Sequence, residues 1–121
     1  MLRSEKDYIM RMIAAAAAAV ARLRERLTGG AAPQEIVQEA RAAQTALLGP
    51  EALLLRALDP ASAAHAIGDA DRLRAWTDLL LVESEALRKA GQITEADALE
   101  QRASALGLGN GNGNGNSRGR G

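Results

Sequence analysis

Cysteine and phenylalanine are both absent from the 121-residue chain, and Tyr8 and Trp76 are its only aromatic residues. Without cysteine the chain has no disulfide, no thiolate metal ligand and no cysteine nucleophile. Its 15 basic and 15 acidic residues leave no net charge, whereas nucleic-acid binding requires a strongly basic surface. We therefore expect a protein that binds no nucleic acid.

Histidine is almost absent as well, because His65 is the single example. Asp69 and Asp71 follow it closely, and the three side chains could be interpreted as metal ligands. Metal sites need ligands that converge from several directions, so we favour a structural histidine. A metal-assisted hydrolase that uses His65 and its neighbouring acids is kept as a distant alternative.

A second acidic group, formed by Asp78, Glu83 and Glu85, lies in the same half of the chain. Di-iron helical bundles combine such carboxylates with Glu-x-x-His pairs, and this sequence contains none. We interpret the three acids as a solvated helix face. Phosphate-binding glycine motifs are also missing outside the C-terminal segment. The sequence thus predicts no catalytic residue, no metal and no cofactor.

Alanine, by contrast, is abundant, and Ala14 to Ala19 form an uninterrupted run. The apolar stretch around it, residues 13–21, is bounded by arginines and is much shorter than the about 20 residues that cross a bilayer. A secretion signal would carry leucines in place of these alanines. We expect a cytoplasmic protein in which the run belongs to a helix that packs closely against another helix.

The first predicted helix covers residues 4–28. Ser4 and Asp7 resemble a capping box at its start, and Gly29-Gly30 supplies the left-handed stop. One side of this helix carries an apolar stripe at spacings of four and three, formed by Ile9, Ile13, Ala16, Val20, Leu23 and Leu27. Such a stripe is typical of a helix with one buried face.

The prolines and glycines divide the remaining chain into further helices. Pro33 suits the first turn of a second helix, which Gly49-Pro50 ends. Two short helices are predicted at residues 50–58 and 60–67. A long helix at residues 70–90 then carries a buried stripe of Leu73, Trp76, Leu80 and Leu87.

The last predicted helix is capped by Thr94 and continues to Leu106 with Ala96, Leu99, Ala103 and Leu106 facing inward. No segment alternates between apolar and polar residues as a strand does. The predicted fold class is therefore all-α, with about six helices in antiparallel hairpins, a tetratricopeptide-like array and no β-sheet. Residues 1–106 form one domain in this interpretation.

The C-terminal segment, residues 107–121, reads GLGNGNGNGNSRGRG. Glycine and asparagine repeats cannot bury a core, so we expect a disordered tail. Arg118 and Arg120 are similar to arginine–glycine RNA-binding segments. Two arginines without an aromatic residue favour a free terminus instead.

Two resemblances accompany this pattern. Residues 80–106 resemble a tetratricopeptide repeat, whose pattern positions hold Leu80, Leu87, Gly91, Ile93, Ala96 and Ala103. Glu83 and Glu100 stand where apolar residues are usual, and the closing proline of the pattern is absent. The opening DYIMRMI, followed by LLGPEALLLRALD, resembles an uncharacterised bacterial family, a domain of unknown function. That resemblance implies a bacterial all-helical protein and no known activity.

The leading hypothesis from the sequence is a non-enzymatic helical module for protein–protein interaction or scaffolding. The partner is an unidentified protein, with a second copy as one candidate. Candidate interaction residues are Tyr8, Arg11, Ala16, Val20, Leu23 and Trp76. The alternative is peripheral membrane association through the first helix, with its apolar side in lipid and its arginines on anionic headgroups. The alanines provide poor lipid burial but good helix packing, so we expect no membrane partner.

Overall fold

The computed structural model describes the backbone of residues 2–111 and the side chains of residues 5–108. These residues form six α-helices, and a 3-10 turn at Gly49–Glu51 separates the second from the third. The helices are α1 (Leu2–Thr28), α2 (Pro33–Leu48), α3 (Ala52–Ala57), α4 (Pro60–Ile67), α5 (Ala70–Lys89) and α6 (Ile93–Gly111). No strand occurs in the described residues, which confirms the all-α class.

Local capping explains where several of these helices begin. Pro33 occupies the first turn of α2, where its missing N–H is not needed. The Asp59 carboxylate accepts a hydrogen bond from the Ser62 backbone N–H at 3.1 Å and so caps α4. Asp69 caps α5 in the same way, through the Arg72 backbone N–H at 2.9 Å.

The two hairpin turns depend on glycine. Gly30, between α1 and α2, has a φ of 100°, and Gly91, between α5 and α6, has a φ of 86°. Residues with a side chain rarely adopt these angles, so glycine removes a steric cost in both turns. After each glycine a backbone N–H bonds back into the helix that has just ended, from Ala31 to the Arg26 carbonyl and from Gln92 to the Leu87 carbonyl, both at 2.9 Å.

Three predicted boundaries were wrong. α1 begins at Leu2, before the expected cap at Ser4, because leucine and arginine favour helix at the preceding positions. The first short helix does not start at residue 50, since residues 49–51 form the 3-10 turn. Thr94 does not cap the last helix either. α6 already starts at Ile93, and the Ala96 N–H bonds to the Gln92 carbonyl at 3.0 Å.

The expected boundary between domain and tail falls inside a helix. α6 continues past Leu106 to Gly111. The rest of the predicted tail, residues 112–121 with Arg118 and Arg120, lies outside the described residues.

Ion pairs and hydrogen bonds show in which directions the long helices run relative to one another. Arg26, near the end of α1, contacts Glu39 in the first half of α2 at 2.7 Å, so these two helices are antiparallel. Arg88, at the end of α5, contacts Asp97 at the start of α6 at 2.6 Å, which defines the second antiparallel hairpin. α2 is also antiparallel to α5, because the start of α2 contacts the end of α5 and the end of α2 contacts the start of α5. α1 therefore runs parallel to α5.

α5 is the central helix of the array. It packs against α1 and α2 on one side and against α6 on the other, and α4 covers parts of α5 and α6. Its buried side chains are Leu73, Ala75, Trp76, Leu79, Leu80, Val82, Glu83, Ser84, Ala86 and Leu87. The predicted stripe of the long helix is therefore confirmed, and one hydrophobic core contains buried residues from all six helices.

We predict that Leu23→Ala lowers the free energy of unfolding by about 2–5 kcal/mol, because it leaves a cavity where α1 meets the core. Leu23 has no exposed surface, whereas Leu53 in α3 is 86% exposed. Leu53→Ala is thus the matched control and should change stability by less than about 0.5 kcal/mol. Urea unfolding followed by circular dichroism measures both variants. Equal losses would contradict the placement of α1.

The cap of α4 predicts a dependence of stability on pH. Hydrogen bonds from Ser62 hold the pKa of Asp59 below its ordinary value of 3.8. A lowered pKa means that the ionised carboxylate stabilises the fold above pH 3.8, and that this contribution disappears as the pH falls through the folded-state pKa. Asp59→Asn keeps a capping oxygen but cannot titrate. Its stability deficit relative to the natural chain should therefore be present at pH 7 and shrink towards pH 3 in urea titrations, whereas a constant deficit would contradict this role.

Candidate interaction site

The alanine run of α1 is divided between two environments. Ala16 and Ala19 are buried, with 4% and 5% of their surface exposed, and they continue the apolar stripe to Val20, Leu23 and Leu27. The other four alanines of the run are exposed. The predicted packing of the run against a neighbouring helix is thus confirmed for one side, and its other side is an apolar surface that faces solvent.

An apolar groove lies between α1 and α5, and two of the four exposed alanines line it. Its volume is about 310 Å³. We call it the α1–α5 groove, and its lining comprises Met10, Ile13, Ala14, Ala17 and Val20 from α1 and Asp71, Arg74, Ala75 and Asp78 from α5. The groove exists because alanine side chains end at Cβ and leave open the space that larger residues would fill. Its charged residues all belong to α5.

A second groove, the N-terminal groove, lies where α1 extends beyond the end of α2. α1 has 27 residues and α2 has 16, so the start of α1 projects past its neighbour. Glu5, Tyr8, Ile9, Met12, Leu47 and Arg72 line this groove. The Arg72 side chain, on one side of this groove, is held in place by hydrogen bonds. Its guanidinium donates to the Leu47 and Leu48 carbonyls at 3.0 and 3.1 Å and so caps the end of α2.

The predicted interaction residues fall into two groups. Tyr8 is 55% exposed and Arg11 is exposed, so a partner can reach both. Ala16, Val20, Leu23 and Trp76 are buried in the core of this chain. Of these four, Val20 also lines the α1–α5 groove, and Ala16 lines a smaller cavity between α1 and α2. Sequence reasoning did not identify Met10, which is 57% exposed, because its helical position lies outside the predicted apolar stripe.

Glu83 does not belong to a solvated face, contrary to the prediction. Its side chain is 1% exposed. One carboxylate oxygen accepts a hydrogen bond from Arg41 Nε at 2.7 Å, and the other accepts one from Gln44 Nε2 at 2.7 Å. A buried carboxylate is stable only when its charge and lone pairs are satisfied. This pair of donors from α2 explains how an acid can stand at an apolar position of α5.

The hydrogen-bond network continues from Gln44 into the core. The Gln44 side-chain oxygen accepts hydrogen bonds from Trp76 Nε1 at 3.3 Å and from Arg56 Nη1. The guanidinium of Arg102 lies 5.4 Å from the centre of the Trp76 ring and donates to the Leu55 carbonyl at 2.9 Å. Burial lowers the pKa of Arg102, and the nearby charge of Arg56 lowers it further. This network joins α2, α3, α5 and α6 and acts as a structural element of the core.

The other two acids of the predicted face are partly exposed. Glu85 forms a bidentate pair with Arg24 of α1, with distances of 2.9 and 3.2 Å. This hydrogen bond is the main reason that the pKa of Arg24 is raised, and Asp78 adds a smaller electrostatic contribution. The pair links α1 to α5 at the far end of the α1–α5 groove.

His65 is exposed on α4, and Asp69 and Asp71 are exposed near the start of α5. Asp69 is already used as the α5 cap. Among the described residues, no group of three or more histidine and acidic side chains is placed to hold a metal ion. Within the same residues, no helix has the length and apolar content needed to cross a membrane.

Comparison with protein-family models, with curated proteins and with solved structures gives no match to this chain. The resemblance to an uncharacterised bacterial family therefore stays a prediction. The function has to be inferred from the surface of the molecule itself.

Two glutamates of α5 that are separated by one residue provide a test of the buried network. We predict that Glu83→Ala lowers the free energy of unfolding by about 2–3 kcal/mol, because it leaves the buried Gln44 amide without its acceptor and removes the ion pair with Arg41. Glu85→Ala removes an ion pair whose side chains are each 43% exposed and should cost less than about 1 kcal/mol. Both variants place alanine in the same helix, so chemical denaturation compares them directly. A larger loss for Glu85→Ala would refute the assignment.

Proposed function

We propose that this protein is a non-enzymatic helical module that acts in the cytoplasm by binding another protein chain. The observation that carries the proposal is the apolar surface on the first half of α1, where Tyr8 and Met10 are more than half exposed beside two apolar grooves. Exposed apolar surface beside a groove marks interaction sites on small proteins. The alanine-rich side of α1 is the predicted docking element.

The shape of the rest of the chain supports a scaffold role. We infer that the α5–α6 hairpin is a tetratricopeptide-like unit. Leu80, Leu87, Ala96 and Ala103 of its pattern are buried, whereas Ile93 is 45% exposed. Gly91 makes its turn with a positive φ. The unit departs from the pattern at Glu83, where Arg41 and Gln44 of α2 satisfy the acid. A rigid array of this kind holds α1 in a fixed position for a partner.

Site-specific photocrosslinking in living cells tests the proposal. A photoreactive residue at Met10 or Ala17 lies in the α1–α5 groove, whereas the same residue at Gln101 lies on the exposed side of α6. We expect discrete protein adducts from the two groove positions and none from Gln101. Adding Ala17→Glu should abolish the adduct formed at Met10, because it places a charge at the centre of the groove.

The control for folding is the thermal unfolding curve of each variant, which should keep its cooperative transition. Adducts that form equally at all three positions, or that persist with Ala17→Glu, would contradict a docking role for this groove.

A further inference from the structure

The outward-facing side of α1 has a pattern that is complementary to itself. We call it the outer face, and it consists of Asp7, Met10, Ala14, Ala17, Ala21 and Arg24. Each of these residues is exposed. Their spacing alternates between three and four, which is the spacing of residues along the contact line between two long helices.

Along the outer face the chain places one acidic residue, one large apolar residue, three alanines and one basic residue, in that order. A second copy of α1, turned antiparallel about a point between Ala15 and Ala16, brings opposite ends together. Asp7 then meets the Arg24 position, Met10 meets the Ala21 position, and Ala14 meets the Ala17 position. In an antiparallel helix pair these are the positions that pack against each other. Opposite charges therefore meet at both ends, and a large side chain meets a small one.

The surroundings of the outer face agree with this arrangement. Arg24 already donates to Glu85 through two of its N–H groups, and a guanidinium has five donors, so it can also donate to a second carboxylate. The charge of Lys6, one turn before Met10, would lie near Glu85 of the second copy. The alanines at the centre let two helix backbones approach closely without leaving a void.

On these grounds we propose that the outer face of α1 binds the α1 outer face of a second copy of this chain, forming an antiparallel two-fold dimer. This inference rests on the proposed function, since it names the partner. A two-fold dimer uses the same patch on both chains, which is what a self-complementary pattern requires. The contact leaves the buried stripe of α1 and the network around Glu83 undisturbed.

A charge swap tests the dimer in the full-length chain by sedimentation velocity. Asp7→Arg places like charges together at both ends of the dimer, and so does Arg24→Asp. Each variant alone should dimerise about tenfold or more weakly than the natural chain. When the two variants are mixed, each end again pairs a basic with an acidic residue, so the heterodimer should recover the natural affinity.

Arg22→Asp is the matched control, because Arg22 is exposed on α1 but lies off the outer face. Its own charge change should not affect the affinity of the dimer. When it is mixed with Asp7→Arg, the affinity should change only by the effect of Asp7→Arg. Since the chain has no cysteine, disulfide trapping gives a second measurement. A mixture of Met10→Cys and Ala21→Cys should form a disulfide-linked pair, and neither variant alone should do so. Like positions are about 16 Å apart along the antiparallel helices, beyond the reach of a disulfide.

Four outcomes would overturn the dimer. They are a chain that stays monomeric in sedimentation, a dimer that the charge reversals leave unchanged, disulfide trapping of Met10→Cys with itself, and a monomer that co-sediments with anionic vesicles through Met10. The proposed function has its own test, because adducts to a different protein at Met10 would support that function while refuting the dimer. Absence of any groove-dependent adduct would refute the function as well.

Discussion

The contact between α2 and α5 is the constraint on which the other helix positions depend. It combines the buried Trp76, whose indole N–H bonds to Gln44 of α2, with a buried carboxylate at Glu83, whose oxygens are bound at 2.7 Å by Arg41 and Gln44. Apolar packing alone tolerates sliding between helices, whereas hydrogen bonds to a buried charge have a narrow geometry. This network therefore sets the register of α2 on α5. The other helices pack around that pair.

The position of α1 follows from this fixed pair. Its buried stripe enters the angle between α2 and α5, where Ala16 and Ala19 allow close approach. Alanine contributes little buried area, so the larger Leu23 and Leu27 and the ion pair between Arg24 and Glu85 secure the second half of the helix. The first half is held by less contact and keeps its apolar outer surface. The same small side chains thus explain both the close packing and the open groove.

Helix boundaries and the core were largely predictable from the sequence because their causes are local. Pro33, Asp59 and Gly91 act on the few residues around them, and the stripe around Leu23 needs only the period of a helix. The burial of Glu83 was not predictable in this way. Its partners Arg41 and Gln44 lie 42 and 39 positions earlier, and an isolated acid in a helix favours a solvated position by composition alone. The exposure of Met10 likewise depends on where α5 begins beside α1.

α1 uses different sides of its surface for packing into the core and for contact with a partner. Residues that build the core lie on one side of the helix, at Ala16, Val20 and Leu23, and those available to a partner lie on the other, at Met10, Ala14 and Ala17. α5 and α2 already hold the buried side of α1, so a partner that reaches the outer face meets a preformed helix. Binding therefore does not have to offset the free-energy cost of folding that helix. A preformed face of alanines gives little burial per residue. Its specificity must therefore come from the charges at its ends and from the match of large against small side chains, which is the feature that a second copy of α1 supplies.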